Sequence, residues 1–315
     1  MGGALMDIRF YDFEFNLLAI LPQNSKKVGY TSLNYSIDYN DIGSFEIEFV
    51  SDKIKNIVEK NRDNIFIVVD KFQGYLTGYI FNKTYRLYGK HLNGLLHKNV
   101  IPVAEKQTSD VETIARDVIS SNYSFLTLGE KVGFENKIEF ETDKYIIGEA
   151  FMEELLKRDD AGYNIRADFV NKKLVFELIK PQEIRLMLSE GNLNAYNFET
   201  VYDNKTQAFG GWYSEKQEEG DNVWKYIKLE DKTGIYIENV VLSANNETDA
   251  MAELKEKKCT FDITAKTRKI KWGEDYKLGD IIRVQRDGET VKKIVTSINV
   301  SIEAERTETP TLTEV

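Results

Sequence analysis

Residues Leu33 to Val50 read LNYSIDYNDIGSFEIEFV. Leu33, Tyr35, Ile37 and Tyr39 alternate with Asn34, Ser36 and Asp38; Phe45, Ile47 and Phe49 alternate with Ser44, Glu46 and Glu48. A period of two puts one class of side chain on each face of a strand. The break between the runs, Asn40-Asp41-Ile42-Gly43, has turn chemistry, so the stretch predicts a β-hairpin. Gly43 is expected to supply a positive φ there. The hairpin would have one apolar face and one acidic face, as in an antiparallel sheet that covers a core on one side.

The surrounding chain supports a sheet-rich globular protein. It has 315 residues, enough for two or three domains, with 42% hydrophobic and 30% charged residues. Seventeen Tyr and seventeen Phe against four Pro favour strands. The net charge of −10 speaks against a nucleic-acid-binding surface as the main activity. A single cysteine, Cys259, excludes an intrachain disulfide framework and suits synthesis in a reducing cytoplasm. No apolar run reaches the 18 residues of a membrane span, and MGGALMDIRF lacks the pattern of a signal peptide.

Toward the N-terminus, Asp7 to Leu21 predicts one or two strands ending at Pro22, and Gln23 to Gly29 a polar loop. After the hairpin, Ser51 is positioned to cap a helix over Lys53 to Asn61. Ile65 to Val69 reads as a buried strand, followed by strands Gly74 to Phe81 and Thr84 to Gly89. So many short strands predict a small barrel or sandwich. Leu92, Leu95 and Leu96 then share a helical face. The texture changes at Ile101-Pro102. Ser109 and Glu112 have capping-box spacing ahead of an amphipathic helix ending near Ser121. Asn122 to Asp143 is irregular except for a strand at Ile138 to Phe140. A second helix covers Ile147 to Arg158, with Ala161-Gly162 as a glycine C-cap. A hairpin joins Tyr163–Val170 to Lys173–Ile179, and Pro181 marks an exit.

Beyond Pro181, Ala195–Val201 and Gln207–Tyr213 read as paired strands about a turn at Asp203-Asn204-Lys205. Gly210-Gly211 suggests a bulge or a close backbone approach. Ser214 to Asn222 is a charged loop. Val223–Leu229 and Gly234–Val241 flank a turn at Asp231-Lys232-Thr233. A helix follows from Thr248 to Lys258, then strand Phe261–Ala265. Strand Ile281–Arg286 returns through Asp287-Gly288 as Val291–Ala304, and the last eleven residues read as a loose tail.

Five stretches together resemble phage tail-hub proteins, the baseplate or tail-tip hubs of siphophages, contractile tails and tail-like bacteriocins. They are Tyr39-Asn40-Asp41-Ile42-Gly43-Ser44-Phe45-Glu46-Ile47; Gly89 with Leu92, Leu95 and Leu96; and Leu155-Leu156 with Gly162-Tyr163, Ile165, Ala167-Asp168 and Leu174 to Phe176. The fourth and fifth are Ser189-Glu190-Gly191-Asn192-Leu193, and Leu278-Gly279-Asp280-Ile281-Ile282 with Val284 and Val295 to Glu303. Their order along the chain carries the resemblance. It implies an α+β, β-rich fold of two small antiparallel β-barrels with an α/β middle domain. The domains would be residues 1–100, 101–181 and 182–305, the last with a helix, and a loose tail over 306–315.

The chemistry of sites is thin. Glu46/Glu48, Glu153/Glu154, Asp159/Asp160 and Glu218/Glu219 are carboxylate pairs, but nothing in the sequence buries any of them as a glycosidase acid requires. The favoured reading is a solvated face. His91 and His97 are six apart and do not share the i, i+4 face of helical metal pairs. Cys259 has no histidine partner in sequence and reads as a small half-buried residue. Phosphate loops, nucleophile elbows and zinc-protease motifs are missing. Trp212 and Trp224 could stack on sugars, but packing is the favoured reading. No catalytic, cofactor-binding or metal residue is assigned, and no cofactor.

The resemblance implies a structural role without enzymatic activity: a homotrimeric ring joining a sixfold tail tube or distal tail ring to a threefold spike or fibre. The acidic hairpin face would line a lumen through which DNA passes without specific binding. The protein would be made in the host cytoplasm, sit at the virion tail tip or phage-like baseplate, and not insert into a membrane. Many long-tail relatives carry a C-terminal fibre or wall-degrading extension; here the sequence ends after the second barrel. The alternative is a β-rich carbohydrate-binding protein or glycosidase.

Overall fold

The computed structural model describes residues 6–23, 29–102, 105–142, 144–189, 195–203, 208, 210–215, 222–229, 239–256, 260–267, 270–286, 289–303 and 306–314. Strands β1 (Ile8–Tyr11) and β2 (Leu17–Leu21) form a hairpin. Its turn is held by the Asp12 carboxylate, which accepts the N–H groups of Glu14 at 3.0 Å and Asn16 at 2.8 Å. The predicted central hairpin is β3 (Tyr30–Asp38) against β4 (Ser44–Phe49), with Leu33 opposite Ile47 and Tyr35 opposite Phe45. Leu33, Tyr35, Ile37, Tyr39, Phe45, Ile47 and Phe49 are all buried, as the alternation requires. Gly43 is needed for a different reason than expected. It has no positive φ; a Cβ there would collide with the Ser36 carbonyl. Helix α1 (Asp52–Asn61) starts on Ser51, whose hydroxyl accepts the Ile54 N–H. Strands β5 (Phe66–Val69), β6 (Phe72–Phe81) and β7 (Tyr85–His91) complete the first third.

A 3-10 helix over Leu92–Lys98 buries Leu92, Leu95 and Leu96 and leads into the middle segment. Its elements are β8 (Val100–Ile101), β9 (Gln107–Asp110), α2 (Val111–Asn122), β10 (Leu126–Leu128), β11 (Lys137–Phe140), β12 (Ile146–Ile147), α3 (Gly148–Leu156), β13 (Gly162–Asp168) and β14 (Lys173–Ile179). Both helices lie where the periodicity put them, but their ends differ. Ser109 belongs to β9, and the cap of α2 is Asp110, which accepts the Thr113 N–H at 2.8 Å. Glu112 is therefore no capping-box partner. It is buried and accepts the N–H groups of Val132 (2.9 Å), Gly133 (2.8 Å) and Phe134 (3.4 Å). It fastens a stretch read as irregular, which also holds β10 parallel to β14. Glu112→Ala is expected to cost about 1.5–3 kcal/mol, since buried donors lose a charged acceptor. Hydrogen exchange should accelerate at amides 132–134 before elsewhere. Past α3 the left-handed residue is Asp160 (φ 47°), so Gly162 is not a C-cap. It lies in β13, where a Cβ would strike the Tyr39 ring.

The last third holds β15 (Gln182–Ser189), β16 (Ala195–Asp203), β17 (Gly210–Glu215), β18 (Val223–Lys228), β19 (Asn239–Val241), α4 (Glu247–Glu256), β20 (Thr260–Thr267), β21 (Asp280–Arg286), β22 (Glu289–Ile302) and β23 (Arg306–Glu314). The expected pairing of β16 with β17 is replaced. β16 pairs with β20, while β17 pairs with β18 and β19 in a separate sheet with α4 on one face. The predicted close approach at Gly210-Gly211 is real: Tyr226 and Leu242 occupy the space a Cβ would need. The predicted loose tail is instead β23, paired with β22 from Lys293 to Ile302. Its alternation Glu308, Pro310, Leu312 faces inward. Residues 24–28 of the Gln23–Gly29 loop, the Gly191-Asn192-Leu193 motif, Asn204-Lys205, most of the Ser214–Asn222 loop, Asp231 to Glu238, Cys259 and Asp287-Gly288 lie outside the described residues.

The ends of the chain share one sheet. Its 13 strands run in the order β16-β20-β23-β22-β3-β4-β7-β6-β5-β1-β2, with β21 attached to β22 and β15 to β21. The expected pair of closed barrels is thereby corrected: among the described residues no sheet closes into a barrel. The cause is β22, whose 14 residues outrun its partner β21. It pairs with β21 up to Ile294, then with β3 from Ser297–Asp38 to Ile302–Leu33. That occupies the edge of β3 that closure would need. One core accordingly holds Leu33, Ile47 and Val69 together with Leu188, Val284, Val295 and Leu312. The middle segment packs a second core around Val111, Phe151, Leu155, Ile165 and Phe176.

The middle sheet is docked through its edge. Strand β13 has β14 on one side only. Its outward N–H groups at Tyr163, Ile165 and Ala167 donate to the Tyr39 carbonyl (3.0 Å), Asn93 Oδ1 (2.7 Å) and Gln73 Oε1 (2.6 Å). Asn93 Nδ2 returns a bond to the Tyr163 carbonyl at 3.2 Å. Every second residue of an edge strand is thus capped from the first third of the chain. Tyr39 also donates its hydroxyl to the carbonyls of Asp160 (3.0 Å) and Ile179 (3.1 Å), and its N–H to Thr296 (2.8 Å).

Candidate assembly surface

The wet face of the central hairpin continues across its neighbours. Strand period two turns Asn34 and Ser36 of β3, Ser44 and Glu46 of β4, Tyr88 and Lys90 of β7, and Thr77 of β6 to one side. Across the β3–β22 junction the same side carries Asn299 and Ser301, then Thr309 and Thr307 of β23. A shallow groove of about 570 Å³ follows this row over six strands. Eight of its lining residues are Ser, Thr or Asn, set among the apolar surfaces of Tyr35, Phe45, Tyr88 and Val300. Ser36 Oγ accepts the Ser44 N–H at 3.0 Å, and Thr77 Oγ1 donates to the Tyr88 carbonyl at 3.3 Å.

The acidic character expected of this face is largely cancelled. Arg86 lies 3.4 Å from Glu46 and 3.1 Å from Glu48, bridging the pair. The two carboxylates are partly exposed and bind the same guanidinium, so neither is set up as a buried glycosidase acid. Asp38 is the exception at the margin. Burial pushes its carboxyl up from the ordinary range, opposed by bonds from Ser297 and Ser36 and reinforced by Asp41. The row is a polar, nearly neutral wall.

The other residues weighed in the sequence are scattered. Glu153 pairs with Lys157 at 2.9 Å, Asp159 accepts from Asn136 at 2.7 Å, and Glu154 and Asp160 are exposed. Glu218, Glu219 and Cys259 lie outside the described residues. His97 is exposed and 2.9 Å from Glu149. His91 is buried against Phe72, and its Nδ1 accepts the Asn93 N–H at 3.3 Å. Among the described residues no group of three or more His, Cys, Asp or Glu is placed to hold a metal ion, and no helix is long and apolar enough to cross a membrane.

Burial lowers the His91 pKa to about 4 from 6.5. A depressed histidine pKa means the unfolded chain binds the proton first, so stability falls as pH drops from 6.5 toward 4. At about 1.4 kcal/mol per unit, the loss should reach about 3 kcal/mol. Denaturant midpoints between pH 7 and 4 are expected to flatten in His91→Gln relative to the native chain.

Trp212 and Trp224 are neither core nor paired with an acid dyad. They stand with Tyr226 on the open face of the β18-β17-β19 sheet, 47%, 55% and 41% exposed respectively. Trp212 packs on Tyr226 at 5.2 Å between ring centroids. The sequence signalled the aromatics; their common face was hidden because it depends on the register between β17 and β18.

No protein-family model matches the chain, and no curated protein matches it. Solved structures do. The 43 kDa tail protein of prophage MuSo2 from Shewanella oneidensis is similar with a TM-score of 0.62 at 11% identity, covering 98% of each chain. The prophage tail protein gp18 of Listeria monocytogenes gives 0.61 at 12% identity, over 98% of this chain and 94% of that one. The tail protein of Neisseria meningitidis MC58 gives 0.60 at 14% identity, over 98% and 96%. From end to end, the chain has the fold of phage tail proteins.

Proposed function

We propose that the chain is a structural hub protein of a phage or phage-like tail tip or baseplate. The observation that carries this reading is the fold shared over 98% of the chain with three phage tail proteins. The continuous polar wall supports it. A hub must offer passing polymers a surface that neither binds nor repels them strongly, and Ser, Thr and Asn rows with a bridged Glu46–Arg86–Glu48 group meet that need.

In this reading three copies form a ring that joins the sixfold tube or distal ring to a threefold spike or fibre. The two halves of the large sheet stand for the two barrels of the resemblance, and the polar wall lines the lumen. Residues 1–100, 101–181 and 182–305 act as the three domains, with β23 joined to the last. DNA passes without specific binding. The role is assembly at the virion tail tip after synthesis in the host cytoplasm, and no catalytic step is assigned. A second reading, carbohydrate binding, is favoured by one observation, the exposed Trp212–Tyr226 face.

The test is affinity capture of the tagged chain from cells producing the whole particle, with the co-purifying proteins identified by mass spectrometry. Tube, distal-ring and spike or fibre proteins are expected. Recovery of none of them from intact particles in mild salt would overturn the hub reading. Saturable glycan binding lost in Trp212→Ala would then favour the second.

A further inference from the structure

Asn93-Gly94 is the one place in the sequence where asparagine precedes glycine. Packing dictates both residues. Gly94 lies in the 3-10 helix over Leu92–Lys98, where a Cβ would come within 2.9 Å of the Tyr75 hydroxyl and 3.0 Å of Ile42 Cγ2. The same hydroxyl donates to the Gly94 carbonyl at 3.1 Å. Asn93 is 1% exposed. Its Oδ1 accepts the Ile165 N–H at 2.7 Å, and its Nδ2 donates to the Tyr163 carbonyl at 3.2 Å. A primary amide offers an acceptor and a donor side by side to the edge of β13. An ionised aspartate offers acceptors only.

The dipeptide that packing selects is also a chemically labile one. Asparagine is thermolabile, and with glycine next in the chain no side chain shields its amide carbon. The Gly94 backbone nitrogen attacks Asn93 Cγ and gives up its proton. An N–C bond forms, the C–N bond of the side-chain amide breaks, and ammonia leaves. Water then opens the resulting succinimide at either carbonyl, giving aspartate or isoaspartate at position 93. No electrons are transferred. The docked fold opposes this at two points. Both ends of the amide are bound to β13, which holds Cγ away from its own main chain. Burial also keeps water from the site.

We propose that Asn93 is a deamidation site, closed while the middle sheet is docked and reactive while it is undocked. The change is one-way. Aspartate at 93 still accepts the Ile165 N–H, but when ionised it has no proton for the Tyr163 carbonyl. It also places a charge where almost no water reaches. Isoaspartate adds a methylene to the main chain of the 3-10 turn as well. Either product weakens the middle one of the three caps on β13. A copy that stays open long enough to react therefore loses its means of closing again.

The test incubates the full chain in mildly alkaline buffer, alone and in urea above its unfolding transition. Peptides spanning position 93 are followed by mass spectrometry for conversion of amide to acid. In urea, Asn93 is expected to convert faster than any other asparagine. In buffer its conversion should be at least about tenfold slower, as for a site reached only through an opening. Gln73→Ala removes the neighbouring cap on Ala167 and leaves Asn93 and Gly94 untouched. It should speed conversion at Asn93 in buffer and leave the rate in urea unchanged. Asn93→Asp supplies the product directly, and hydrogen exchange should accelerate at amides 163, 165 and 167. Equal rates in buffer and urea, or no acceleration in Gln73→Ala, would overturn the control by docking. Unchanged exchange in Asn93→Asp would overturn the loss of closure. The rate comparisons use only the native chain and Gln73→Ala, so they decide the matter even if Asn93→Asp does not fold.

Discussion

Tyr39→Ala is expected to lower the free energy of unfolding by about 3–5 kcal/mol, the range for truncating a large buried aromatic. Tyr39 is 4% exposed, and its ring fills the space left by glycine at both Gly162 and Gly279. Its hydroxyl donates to Asp160 and Ile179, and its backbone exchanges bonds with Tyr163 and Thr296. One side chain therefore contacts all three thirds of the chain. Tyr39→Phe keeps the ring and loses only the one hydroxyl proton shared between the two carbonyls, so it should cost about 1–3 kcal/mol. Urea unfolding followed by tryptophan fluorescence measures both. Equal losses in the two variants would show that the ring contributes nothing beyond its hydroxyl.

Arg306→Ala should be nearly as damaging, about 3–5 kcal/mol, because it strands a buried carboxylate. Arg306 donates to Asp70 at 2.8 Å and lies 2.7 Å from Glu308, which is 5% exposed and accepts the Trp272 N–H at 2.9 Å. This cluster pins the start of β23 to the turn between β5 and β6. Replacing both partners, as Arg306→Met with Glu308→Gln, keeps an acceptor for Trp272 and removes the charge. The double variant should then be more stable than Arg306→Ala alone. If it is less stable, the stranded Glu308 carboxylate is not what destabilises Arg306→Ala.

These two sites show what was legible in the sequence. The β3–β4 hairpin, α1 with its Ser51 cap, and the β13–β14 hairpin follow from local periodicity and turn residues, which act over a few positions. Pairing of β22 with β3 joins residues more than two hundred positions apart, and no local pattern encodes it. Strand β23 was hidden by composition: Arg306-Thr307-Glu308-Thr309-Pro310 looks solvated until Asp70 and Trp272 are brought to it. The shift of the α2 cap from Ser109 to Asp110 reflects two good caps side by side. Glu112 misleads because the loop it holds lies 20 residues away. The polar wall was half legible. Its alternation was plain in β3 and β4, but its near-neutrality needed Arg86 of β7, and its breadth needed β22 and β23.

The capped edge of β13 has a consequence for how the protein is made. An uncapped edge strand of this kind would template pairing with another chain. The three groups that block it belong to Tyr39, Gln73 and Asn93, and all precede Tyr163 in the chain. During synthesis the N-terminal part leaves the ribosome first. The residues that form the stopper are thus already made when the strand they protect emerges. A circular permutant that begins at the middle segment would reverse that order, leaving β13 bare through most of its synthesis, and should go to inclusion bodies even though its finished fold is the same.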